Sequence, residues 1–246
     1  MIDDAAALAL TTAERADREC HRSSIEAGAS TVRHAHATDS RADAARLVLV
    51  TTTEIRFGRD VATDDELRLC GDVGDGKRAL ELGIGRESNA IAFALAGARS
   101  IAIDPDTNAI EQLRADAAAA EVTVQGIVAE LADLGPIASA SIDLVVANHT
   151  LDDVDDLGRL LRQVHRVMKS ARPFVVSVAH PFAGVHSTDE LGSKVLPYGT
   201  VGRTIGDWFI HLTRANFRVD QILELGVSDI SPVPTTLIFR AAKEGD

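Results

Sequence analysis

The sequence predicts an α/β domain: a doubly wound, mostly parallel sheet of seven strands with helices on both faces, preceded by an N-terminal helical and loop appendage. Three observations carry this. From Arg78 onward, short β-rich runs alternate with amphipathic runs of helix length, the pattern of βαβ units. Those short runs are apolar nearly throughout, as strands covered on both faces are. The first aromatic residue is Phe57, so residues 1–56 lack the large side chains that build a core. Residues 1–55 are accordingly the appendage, a candidate lid with partly flexible chain. Residues 56–246 form the domain, and 182–203 are a loop insertion on its ligand side.

The elements follow in order. Alanine content predicts a helix over roughly 3–20 and the polar run 23–40 a loop. His34 and His36 stand close together there, but no third ligand has suitable spacing, so a solvated loop is favoured over a metal site. Thr63-Asp64-Asp65-Glu66 has the form of a capping box before a short helix. Residues 79–82 are the first strand, ending in Gly83-Ile84-Gly85, and 89–96 a helix closed by Gly97. Strands at 100–103, 122–128, 142–146 and 174–178 follow, with helices at 107–120 and 154–169. The latter carries Leu157, Leu160, Leu161, Val164, Val167 and Met168 on one stripe. A helix at 205–216 and strands at 217–225 and 235–240 complete the chain.

Composition narrows the function. Acidic residues outnumber basic ones 37 to 25, a formal charge of −12. Such a chain repels phosphate backbones, so neither nucleic acid nor an anionic membrane is the expected partner. Cys20 and Cys70 lie fifty residues apart, which makes neither a zinc knuckle nor a disulfide framework and fits a reducing compartment. No apolar run approaches 18 residues, and Met1-Ile2-Asp3-Asp4 is acidic where a signal peptide is basic. A cytoplasmic location is expected.

In an open α/β sheet the ligand sits beyond the carboxyl ends of the strands. Those ends carry Gly83 and Gly85, Asp104, Glu130, Asn148 with His149, and His180. The two glycines permit a tight turn and a close backbone approach. Ser88 stands where a dinucleotide fingerprint has its third glycine. Asp104 lies 21 residues after Gly83, where a carboxylate can accept both hydroxyls of a ribose. A turn-forming Asp before Pro105 is the plainer alternative.

Ala79-Leu80-Glu81-Leu82-Gly83-Ile84-Gly85 resembles the first motif of the class I S-adenosylmethionine-dependent methyltransferases, a hydrophobic strand followed by E/D-x-G-x-G. Ile103-Asp104 resembles the second motif, Glu130 the acid beside the adenine amine, and Ser141–His149 the fourth motif. Leu161–Met168 resembles the helix that leads into a Pro-Gly-Gly turn, and Ser177–Pro181 a strand end of small-molecule members. The resemblance spans about residues 55–240. It implies a Rossmann-like fold, S-adenosylmethionine as cofactor and no metal. It assigns Glu81, Gly83, Gly85, Asp104, Glu130 and Asn148 to cofactor binding. Two departures stand out: Lys169-Ser170-Ala171-Arg172 replaces the Pro-Gly-Gly turn, and the N-terminal region lacks lid aromatics.

An enzyme transferring a methyl group to a small-molecule oxygen is therefore expected. His149 or His180 is the candidate general base, with His149 preferred, while His186 and His211 are less favoured. Trp208, Phe209, Tyr198 and Phe182 either wall an apolar acceptor pocket or pack in the core. A homodimer is the open alternative to a monomer. Two other readings remain: a non-catalytic ligand-binding protein on the same fold, and a nicotinamide-dependent oxidoreductase. The missing third glycine counts against the oxidoreductase.

Overall fold

A computed structural model of the chain describes residues 50–245 except 52, 60, 190, 191 and 230. The helix expected at 3–20, the loop at 23–40, Cys20, His34 and His36 lie outside the described residues, as does most of the appendage. The described residues belong to one compact unit, 49–246.

In chain order the elements are β1 (Val50–Thr51), α1 (Asp64–Leu67), β2 (Arg78–Leu82), β3 (Glu87–Ser88) and α2 (Asn89–Leu95). Then come β4 (Arg99–Asp104), α3 (Thr107–Ala119), β5 (Val124–Val128), β6 (Leu144–Asn148), α4 (Leu157–Val167) and β7 (Pro173–Ala179). A hairpin of β8 (His186–Asp189) and β9 (Gly192–Val195), α5 (Ile205–Arg214), β10 (Phe217–Leu225) and β11 (Thr236–Lys243) follow. The main sheet has seven strands in the order β10-β11-β7-β6-β2-β4-β5. All neighbours are parallel except at β11, which runs antiparallel to both β7 and β10. Strand order reverses direction between β2 and β6, and this topological switch opens a crevice at the carboxyl ends.

Side-chain alternation explains why both faces are covered. Leu80, Leu82, Ile101, Ile103, Val145 and Val176 point to one face, under α4 and α5. Ala79, Leu144, Val146, Val175 and Ile238 point to the other, where Phe57, Leu69 and Phe93 cover them. Helix α4 buries Leu157, Leu160, Leu161, Val164 and Val167, the stripe read from sequence, and its first turn is capped by Asp156 accepting from Arg159 N at 2.8 Å. It begins three residues later than expected because the segment before it turns under Arg203. That guanidinium donates to the carbonyls of Asp152 (2.8 Å) and Val154 and lies over the Trp208 ring.

Several local expectations are corrected. Thr63 makes no side-chain cap; Asp64 instead accepts from Leu69 N and Cys70 N at 2.7 and 3.0 Å, folding the chain back on itself. The capping box lies at Thr204 and Asp207, at the start of α5. Residues 182–203 are not wholly loop, since they hold the β8–β9 hairpin. Trp208 belongs to the core, 6.3 Å from Phe239. Among the described residues no helix is long and apolar enough to cross a membrane.

The turn that departs from Pro-Gly-Gly is held by charge. Lys169 Nζ reaches both Asp143 carboxylate oxygens at 2.8 Å, and Arg172 Nε lies 3.6 Å from one of them. Ala171 takes the left-handed conformation at φ 58° that a glycine would otherwise fill. Burial works against the Asp143 charge, yet Lys169, the Arg78 amide and Arg172 hold its carboxyl below the usual range. Replacing Asp143 with Ala leaves the half-buried Arg78 N–H without its acceptor. The expected cost is about 1–3 kcal/mol in urea unfolding; a change under about 0.5 kcal/mol would show that the turn holds without this anchor.

Candidate functional site

The site is built at the switch point. Strand β2 ends in Leu82, and Gly83 then turns the chain with φ 81°, a conformation that glycine adopts freely. A Cβ at Gly83 would lie 2.5 Å from Thr150 Cβ, and one at Gly85 would lie 2.8 Å from the Asn148 carbonyl. Both glycines are thus required by the approach of this turn to the end of β6. Thr150 Oγ1 donates to the Leu82 carbonyl at 2.6 Å and pins the two strand ends together.

Glu81, expected at the cofactor, is fully buried at 0% exposure. Its carboxylate accepts from Ser88 Oγ at 2.6 Å, Asn89 N at 2.7 Å and Ala90 N at 3.0 Å. It braces the N-terminus of α2 from beneath, which is a supporting role rather than a ligand contact. Ser88 is the N-cap of that helix, so the missing third glycine has become a cap. Burial pushes the Glu81 carboxyl up to about 7, against the three hydrogen bonds that favour its charge.

Asp104 ends the neighbouring strand at 9% exposure. One of its oxygens accepts from Ile84 N at 2.6 Å and the other from Asp106 N at 2.8 Å. The carboxylate therefore fixes the glycine turn from the neighbouring strand end. Burial raises its pKa, with the two amides opposing. Glu130, two residues past β5, is exposed, and its stretch is tied to β4 by Ala129 N donating to the Asp104 carbonyl at 3.1 Å. The structure thus brings Gly83, Gly85, Asp104 and Glu130 to adjacent strand ends on one side of the switch.

The other side is a cleft of about 380 Å³ lined by Gly58, Arg59, Arg86, Asn148, His149, Thr235 and Thr236. Asn148 is buried and its Oδ1 accepts from Ser177 Oγ at 3.0 Å. His149 follows with φ 53°, which swings its ring off the line of β6, and its own N–H is held by the Ser177 carbonyl at 2.9 Å. Its Nε2 stands 3.5 Å from Thr236 Oγ1. Burial lowers the His149 pKa, opposed by a hydrogen bond to the Phe57 backbone. The ring is neutral at pH 7, and the nitrogen not bonded to Phe57 carries a lone pair.

His180 differs. It is 3% exposed, its Nδ1 accepts from Phe182 N at 3.1 Å, and its Nε2 meets Glu224 Oε1 at 2.8 Å. Both ring nitrogens are spent on holding the chain after β7, which corrects the expectation that either histidine can serve as base. His211 is half-buried on α5, and nothing is described of the His186 side chain. Of the aromatic wall, Phe182, Tyr198 and Phe209 are exposed and none lines the cleft.

Sequence reasoning missed Gly58, Arg59, Arg86, Thr235 and Thr236. Thr236 opposes Ala179 across the antiparallel pair, so it is the start of β11, not its end, that reaches the site. That placement depends on a strand reversal that no local pattern announces. Asp152 was also missed: burial pushes its carboxyl up to about 6, and it accepts from Ala179 N at 3.1 Å, joining the ends of β6 and β7.

Residues 80–175 match the family model described as a methyltransferase domain. No curated protein matches the sequence. Among solved structures, an S-adenosylmethionine-dependent methyltransferase from Mesorhizobium loti is similar at 22% identity and TM-score 0.59, over 73% of this chain and 96% of that one. Another from Aquifex aeolicus has 16% identity and TM-score 0.54, over 72% and 87%. Geranyl diphosphate C-methyltransferase from Streptomyces coelicolor A3(2), in complex with Mg2+, geranyl diphosphate and S-adenosyl-L-homocysteine, has 12% identity and TM-score 0.56, over 72% and 78%. Residues 80–175 thus resemble a methyltransferase domain, and the chain shares the fold of these solved structures.

The Glu81 brace makes a pH prediction. The folded carboxyl keeps its proton up to about pH 7, while the unfolded one ionises near 4.5. Between those values the folded state binds the extra proton, so its contribution to stability is lost as pH rises toward 7 and is level above it. The span is roughly 3 kcal/mol. The difference in unfolding free energy between wild type and Glu81→Gln should therefore shift by that order between pH 4.5 and 7. A difference independent of pH would mean that Glu81 is charged throughout.

Proposed function

We propose that this chain transfers a methyl group from S-adenosylmethionine to the oxygen of a small-molecule acceptor. The observation that carries the proposal is the division of the switch point. A glycine turn with two carboxylates stands on one side, and a cleft with a neutral histidine on the other.

The residues fit that cofactor by their chemistry. Asp104 offers the lone pairs not used by Ile84 and Asp106 to the two ribose hydroxyls. Glu130, exposed at the next strand end, faces the adenine amine. Gly83 and Gly85 let the backbone come close to the methionine portion, and buried Asn148 borders the methyl position. When bound, the cofactor supplies a methyl on a sulfonium sulfur, whose transfer to oxygen breaks the C–S bond as the C–O bond forms. Transfer from a sulfonium to oxygen proceeds without a metal.

The protein's part is alignment and a proton. His149 takes the hydroxyl proton on its free nitrogen as the acceptor oxygen attacks, and the imidazolium then returns that proton to solvent. Its lowered pKa keeps the base unprotonated at neutral pH. Glu81, Thr150 and the Ser177–Asn148 hydrogen bond keep the two sides in register.

Calorimetry with S-adenosylhomocysteine tests the nucleoside side. Wild type should bind it and should not bind NAD, and Asp104→Ala should weaken binding about 10- to 150-fold. Normal binding in that variant would remove Asp104 from the site. On the acceptor side, His149→Ala should keep cofactor affinity and lose at least about 100-fold in turnover across a panel of hydroxylated acceptors. The wild-type rate should rise with pH along a limb below 6.5 and then level off. A variant with unchanged turnover at every pH would show that positioning alone suffices.

A further inference from the structure

The cleft beside His149 has a charge that the rest of the chain does not. Acids exceed bases by twelve over the whole sequence, yet among the described residues the seven that line the cleft include two arginines and no carboxylate. Arg59 follows the close approach of Gly58 to the His149 ring, where a Cβ would lie 3.0 Å from Nε2. Arg86 projects from the glycine turn itself. Both are exposed, and neither forms an ion pair among the described residues. The remaining side-chain groups are the two hydroxyls of Thr235 and Thr236, the Asn148 amide and a neutral imidazole.

Such a lining selects by sign. A cationic acceptor would meet two guanidinium groups and, among the described residues, no counter-charge. A neutral apolar acceptor would leave two arginines and two hydroxyls to be desolvated without partners. A carboxylate or a phosphate ester satisfies the planar forks of arginine with two parallel N–H···O bonds each, and threonine hydroxyls add donors for its remaining oxygens.

The geometry points to an acceptor that carries an anionic group, a carboxylate or a phosphate ester, held by Arg59 and Arg86 while its hydroxyl faces His149. This rests on the methyl-transfer reading for the hydroxyl end, but the anion site itself can be read without turnover.

The test is calorimetric titration of the full chain with 4-hydroxybenzoate, 4-hydroxyphenyl phosphate and the neutral 4-hydroxybenzamide, with and without S-adenosylhomocysteine. At least one of the two anions should bind about tenfold or more tighter than the amide. Which one leads identifies the anion as carboxylate or phosphate. The Arg59→Gln/Arg86→Gln double variant should lose that preference while keeping its S-adenosylhomocysteine affinity. Equal binding of the amide, binding of none of the three, or a preference that survives in the double variant overturns the inference. So does a double variant that loses S-adenosylhomocysteine, since the arginines would then serve the cofactor's carboxylate. Failure of wild type to bind S-adenosylhomocysteine would instead count against the methyl-transfer reading, leaving the anion preference measurable on its own.

Discussion

The Glu81 carboxyl, fully buried beneath the glycine turn, fixes everything that follows at the switch point. It gathers Ser88 Oγ and the amides of Asn89 and Ala90 around one side chain at the end of β2. Those amides are donors that a helix N-terminus leaves without intrahelical partners. Satisfying them from below sets where α2 begins, and so how long the turn Gly83–Ser88 is. Asp104 then holds the same turn from the side through Ile84 N. Two acids thus do opposite things. One is sealed inside and ties strand to helix, while the other ties the turn to its neighbour and keeps an edge toward the crevice. Burying a carboxylate is costly, and its raised pKa records that cost.

The parallel half of the fold was legible because each of its signals is local. Strand β4 and helix α3 stand within a residue or two of their predicted bounds, since alternation, caps and breakers all lie within a few residues of each other. The glycine turn and Asp104 were legible for the same reason. What failed to read was non-local. That β11 inserts antiparallel between β7 and β10 brings Thr235 and Thr236 to the site, and nothing in Thr235–Arg240 states its direction. The capping sequence at Thr63 was real as a pattern and idle as a cap, while the neighbouring Asp64 accepts from Leu69 N and Cys70 N instead. The unusual turn after α4 became intelligible only with its partner, Asp143, 26 residues away.

The crevice is polarised by topology. Carboxylates cluster at the ends of β4 and β5, on one side of β2, and guanidinium groups lie on the side of β6 and β11. The two sides are joined by few atoms: Thr150 Oγ1 on the Leu82 carbonyl, and the Gly85 backbone against the Asn148 carbonyl. A side chain at either glycine would push them apart. The glycines therefore serve the chain as much as any ligand, which is why a glycine motif alone reads ambiguously in sequence.

His149 and His180 end adjacent strands and look alike in sequence, so environment must separate them. His180 accepts from an amide on one nitrogen and meets a carboxylate on the other, so both ring nitrogens are engaged in holding the chain. His149 is also largely buried, but its ring is bonded to the Phe57 backbone and otherwise has only a distant hydroxyl at 3.5 Å. Desolvation disfavours its charged form without consuming its lone pair, the condition for a neutral base. The left-handed backbone at His149 completes the distinction. A strand that continued straight would hand its next side chain to the sheet face, whereas this turn delivers the imidazole to the cleft between Gly58 and Thr236.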